Sequence, residues 1–110
     1  MIAALGLLAG IVLGVVFKPD VPLGLEPYLP IAVVAALDAV FGATRALLDG
    51  VFDDKLFVVS FVSNVVVAAL IVFLGDQLGV GSQLSTGVIV VFSVRIFANV
   101  AAIRRRLFRA

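Results

Sequence analysis

The chain of 110 residues is 64% hydrophobic and only 14% charged, with a mean hydropathy of +1.31. Against a soluble domain of roughly 45–50% apolar composition, that is an excess of roughly 15–20 apolar side chains. A globule this small buries only about two-thirds of its surface, so the excess would face water as an aggregating patch. Soluble enzymes, nucleic-acid binders and disordered chains do not fit this arithmetic; a small integral membrane protein does. The chain also lacks Cys and His, which removes disulfides, thiolate chemistry, imidazole ligands and His-dependent nucleophilic catalysis. With no Trp and a single Tyr, Tyr28, an aromatic belt at the membrane interfaces falls to Phe.

The first apolar stretch, 2–17, carries no charge. As a helix it rises roughly 24 Å, short against a hydrocarbon core of about 30 Å. It spans if Met1 and Lys18 reach the two interfaces. No basic leading region or small-residue cleavage site marks it as a signal peptide. Pro19, Pro22, Pro27 and Pro30 then interrupt the helix, Pro30 being tolerated in the first turn of the second stretch, 29–48. A polar connection over 49–55 follows, in which Asp53 or Asp54 caps the third helix. The third stretch, 56–74, stops at Gly75-Asp76, and a glycine-bearing loop leads to the fourth, 84–103, which ends at Arg104. The expected fold is therefore all-α: one polytopic transmembrane domain over 1–110 with four spans. The alternative has three spans, with the first segment lying in the interface.

Charge sets the orientation. With four spans and both ends on one side, that side carries Arg45, Lys55, Arg104, Arg105, Arg106 and Arg109, and the other only Lys18. Six against one predicts cytoplasmic termini and argues against dual topology. The arginine cluster 104–109 reads first as this topology anchor and second as a contact for anionic lipid. Arg45 is expected to reach the interface or meet Asp49.

Two ridges of small residues recur at spacings of four: Gly6, Gly10 and Gly14 in the first helix, and Ala35, Ala39 and Ala43 in the second. Such ridges let helix backbones approach closely, within a subunit or between subunits. Each of the last three helices places a strongly polar residue near its middle. Asp38, Asn64 and Arg95 fall at one depth, with Ser60 one turn from Asn64 and Asn99 one turn from Arg95. A charge there costs at least about 2.5–3.5 kcal/mol when it faces lipid. Asp38 and Arg95 are thus expected to pair, directly or through Asn64. The set works either as hydrogen-bonded glue fixing helix register and assembly, or as a proton or cation site gated by Arg95. No metal site, cofactor site or catalytic machinery is expected.

The segments PYLPIAVVAALDAVFGATR (27–45), FVVSFVSNVVVAALIVFLGDQLGVG (57–81) and VRIFANVAAIRRR (94–106) resemble the bacterial small basic protein family, a domain of unknown function. The most specific elements are Leu37-Asp38 and the Arg95-x-x-x-Asn99 run with its terminal arginines. This chain departs from the family's name in being barely basic, at a net charge of +1. The resemblance implies a bacterial plasma-membrane protein encoded near cell-division genes. Residues and resemblance together predict a non-enzymatic homo-oligomer with a structural or scaffolding role in the envelope or division machinery, partnered by membrane lipids and by other envelope membrane proteins. The alternatives are a small ion or proton channel using Asp38 and Arg95, or an accessory subunit of a larger complex. No nucleic-acid partner is expected.

Overall fold

The structure is a computed structural model that describes residues 1–18, 20 and 23–109. Four α-helices make up the chain: α1 (Ile2–Phe17), α2 (Leu29–Leu48), α3 (Asp54–Gln77) and α4 (Gly81–Phe108). A 3-10 turn, Leu23–Tyr28, precedes α2, and no strand occurs among the described residues. The last three helices are long and apolar enough to cross a membrane, while α1 is apolar but shorter.

Local chemistry sets most boundaries. Lys18 adopts the left-handed conformation (φ 45°), and its N–H closes α1 on the Gly14 carbonyl. Pro19 and Pro22 lie outside the described residues. Pro30 sits in the first turn of α2, where its missing N–H loses no bond. Asp53 caps α3, its carboxylate accepting from the backbone N–H of Lys55 and Leu56.

The first two helices coincide with their apolar stretches, whereas α3 and α4 overrun theirs. Gly75 and Asp76 lie inside α3, Ser82 and Gln83 inside α4, and α4 continues through the arginines to Phe108. Backbone hydrogen bonding carries a helix past the point where its side chains stop being apolar. At 28 residues α4 rises roughly 42 Å, about 12 Å more than the hydrocarbon core needs. Only residues 78–80 remain to turn the chain from α3 into α4.

α2 packs most extensively on α4, then α4 on α3. Asp38 meets Arg95, and a Cβ on Gly42 would meet Asn99. Four residues along both helices in the same direction make α2 and α4 parallel, and α3, which joins them along the chain, antiparallel to both. The Met1 amino group contacts Asp54, so α1 begins at the α2–α3 turn and runs back along the bundle. Chain start, α2–α3 turn and arginine cluster share one end.

The core occupies the other half. Ile31, Ala35, Ala68, Val72 and Phe92 form one buried cluster, with Phe61, Val65 and Val88 packed against it. α1 contributes no buried residue. Its glycine ridge faces a groove of about 640 Å³ shared with α2 and Phe61. A methyl group at Gly6, Gly10 or Gly14 would meet nothing within 4 Å, so within the subunit no helix presses on this ridge.

Candidate functional site

Asp38 stands tenth in α2 and is buried, 3% exposed. Its Oδ2 lies 3.3 Å from Nη2 of Arg95. Its Oδ1 is buried and has no hydrogen-bond partner among the described residues. Half of the Arg95 side chain (51%) is exposed, and its guanidinium lies 6.0 Å from the centre of the Phe92 ring. That separation is at the outer limit of a cation–π contact. The pair joins α2 to α4 directly.

Asp38 and Arg95 line a cavity of about 220 Å³ between α2 and α3, together with Ser60 and Asn64. Four of the five polar residues expected near midspan thus share one space. Two features open it. On α2, the surface toward α3 is built from Ala35, Ala39, Gly42, Ala43 and Ala46, which leave the gap unfilled. On α3, Ser60 and Asn64 lie one turn apart on the same face, beside Phe57 and Phe61, whose rings stack with centroids 6.4 Å apart. Val51, Phe52 and Asp53 of the α2–α3 turn complete the lining. The alanine ridge thus walls a cavity, even as Ala35 and Ala43 are themselves buried.

The fifth polar residue, Asn99, lies one turn beyond Arg95. It accepts a hydrogen bond from Arg45 Nη1 at 3.2 Å, beside Gly42. Of the two expectations for Arg45, the contact with Asp49 is not the one found: exposed in the last turn of α2, Arg45 reaches across to α4. Gly42 lies alongside, and a Cβ there would stand 3.6 Å from the Asn99 amide nitrogen, an ordinary contact. Two rungs therefore tie α2 to α4, Asp38–Arg95 and Arg45–Asn99. The sequence signals the first through two opposite charges at one depth. The second rests on the reach of a long side chain across to α4.

A second recess, about 490 Å³, lies along the outer surface of α3 and α4. Arg95 and Asn64 border it together with Gly87 and exposed apolar residues such as Val67 and Val91. Arg95 thus stands between an interior cavity and an outward groove. Arg104, Arg105, Arg106 and Arg109 are all exposed at the end of α4. No group of three or more acidic, Cys or His side chains able to hold a metal ion occurs among the described residues.

The family described as "Protein of unknown function (DUF1290)" matches residues 21–108. An uncharacterized protein of Mycobacterium tuberculosis (strain ATCC 25618 / H37Rv) is 68% identical over 110 residues, covering 100% of this chain and 91% of that protein. An uncharacterized protein of Mycobacterium bovis is similar to the same extent. The small basic protein of Bacillus subtilis (strain 168) is 43% identical over 103 residues, covering 94% of this chain and 84% of the relative. No solved structure matches the chain.

Proposed function

The chain belongs to the DUF1290 family, and we propose that it is a membrane-embedded assembly protein, a non-enzymatic scaffold that works as a homo-oligomer. The observation that carries this reading is the half-exposed Arg95 in the middle of α4. A cation at that depth costs at least about 2.5–3.5 kcal/mol when it faces lipid, and its side chain is too short to reach either interface. One partner, Asp38, neutralises the charge from within the subunit. The outward side of the guanidinium still needs a protein surface. A second copy seated in the α3–α4 groove supplies it, and Gly87 there lets a neighbouring helix approach closely. A two-fold arrangement is the simplest closed form for such a contact.

The bundle geometry favours four spans, because α1 runs from the α2–α3 turn, at Met1–Asp54, to Lys18 beside Leu29 at the opposite end. With six basic residues at one end and Lys18 at the other, both termini lie on the cytoplasmic face. The envelope or division setting, in the plasma membrane and alongside other membrane proteins, rests on the family resemblance. A proton or cation pathway needs a continuation beyond Asp38, and there Ile31, Val72 and Phe92 fill the bundle at 1–5% exposure. That packing supports glue over transport.

Subunit counting in lipid nanodiscs by native mass measurement tests the proposal. More than one copy per particle is expected. Gly87→Leu is expected to reduce it to one, since a Cβ at Gly87 meets nothing within 4 Å among the described residues and the rest of the side chain enters the groove that Gly87 lines. A wild-type monomer, or an unchanged count in Gly87→Leu, overturns it. Proton or cation flux in liposomes that Asp38→Asn abolishes would replace this reading with the transport one.

A further inference from the structure

We infer that the cavity between α2 and α3 is a one-sided aqueous vestibule: a built site for water that opens at the α2–α3 turn and ends at Asp38. The inference is independent of how many copies assemble. Three observations meet in it. The first is the buried Asp38 Oδ1 without a protein partner, on a residue that lines the cavity. A carboxylate oxygen so placed is satisfied only by a donor brought to it. The second is the company it keeps. The Ser60 hydroxyl and the Asn64 amide line the same space, each able to donate and to accept, so a water there finds the two to four polar partners that hold it. The third is size and closure. At about 220 Å³ the cavity exceeds by far the roughly 10–15 Å³ that one water requires. Its mouth is lined by Val51, Asp53 and Leu56, all exposed. Its inner end is formed by Ala35, Asp38 and Phe61, and behind it Ala35 and Phe61 join the buried cluster of Ile31, Val72 and Phe92.

Water is favoured over a lipid tail by the carboxylate at the inner end, since an acyl chain would leave Asp38 Oδ1 unsatisfied. It is also favoured over a bound cation, because Arg95 already stands 3.3 Å from the carboxylate. The consequence is directional. Asp38 exchanges protons and hydrogen-bond partners with the compartment at the α2–α3 turn, and with that compartment alone.

The absence of native cysteine makes the test direct. Ser60→Cys and Ala39→Cys place a thiol in the cavity. Val59→Cys places one at nearly the same depth on an exposed α3 position outside the cavity lining, and Val72→Cys places one in the closed cluster. Sealed vesicles of each orientation are treated with a membrane-impermeant, positively charged methanethiosulfonate. Ser60→Cys and Ala39→Cys are expected to react at least about tenfold faster than Val59→Cys, because only the thiolate reacts and each pKa unit of apolar burial removes tenfold of it. The reaction is expected from the α2–α3 side only, with Val72→Cys inert from both. Cavity thiols no faster than Val59→Cys mean a lipid-filled or dry space, and labelling from both sides means a through-path. Either result overturns the vestibule.

Discussion

The two halves of the bundle are built on opposite rules. Toward the α3–α4 turn, α2, α3 and α4 meet through Ile31, Ala35, Ala68, Val72 and Phe92, all at 5% exposure or less. Toward the α2–α3 turn, polar rungs tie α2 to α4, and a cavity separates α2 from α3. In lipid the tails are as apolar as the core, so packing quality, and not transfer from water, holds the first half together. The second half forgoes packing, since a wall of alanines and Gly42 leaves a space where larger residues would interdigitate. There the penalty of leaving Asp38 and Arg95 unpaired keeps the helices in register. The comparison shows one short chain using shape to fix one end and charge to fix the other.

The sharpest way to break this comparison is to remove one charge. Arg95→Leu leaves Asp38 buried without its partner and is expected to cost about 3–5 kcal/mol, measured as unfolding in mixed micelles. Asp38→Leu combined with Arg95→Leu is expected to recover most of that loss, because an apolar pair of similar volume replaces both charges. A single substitution that costs less than about 1 kcal/mol would mean that the cavity half is held by something other than its ion pair.

A gentler probe adds volume to each half. Ala68→Leu drives a larger side chain into the closed cluster and is expected to cost up to about 3 kcal/mol through overpacking. Ala46→Leu adds the same volume at the cavity wall, where the space is open, and is expected to change stability by less than about 1 kcal/mol. Equal costs at the two positions would show that the cavity half is as tightly packed as the other.

Much of this division was legible before the fold. Hydropathy located α1 and α2 to the residue, and the common depth of Asp38, Asn64 and Arg95 anticipated that Asp38 would meet Arg95. The ends of α3 and α4 escaped, because apolarity marks where lipid is and not where backbone hydrogen bonding stops. The cavity escaped too. Ala35, Ala39 and Ala43 read as a ridge for close packing, yet whether small residues draw a neighbour in or leave a gap depends on what the neighbour offers. Here α3 offers Ser60 and Asn64 beside Phe57 and Phe61. Arg45 illustrates the same limit: its partner Asn99 lies 54 residues away, and only the parallel placement of α2 and α4 makes them neighbours.

Small effects come from glycines as well, and they extend the comparison to α1. Gly75 and Gly81 are buried where α3 turns into α4. A Cβ on Gly75 would lie 3.1 Å from Leu84 Cγ and 3.3 Å from the Gly81 Cα, and one on Gly81 would run into Asp76, whose Cα would be 3.2 Å away. Gly75→Ala is therefore expected to cost about 1 kcal/mol, the clash exceeding what alanine's better helix propensity returns. Gly10→Ala meets nothing within 4 Å, so its own subunit should be unaffected or slightly steadier. The informative readout for Gly10→Ala is thus subunit number and not unfolding. A ridge that is idle inside the subunit yet pressed against a second copy would lose copies per particle while keeping its stability. If both stay as in the wild type, α1 meets only lipid along that face, and assembly rests on the α3–α4 groove alone.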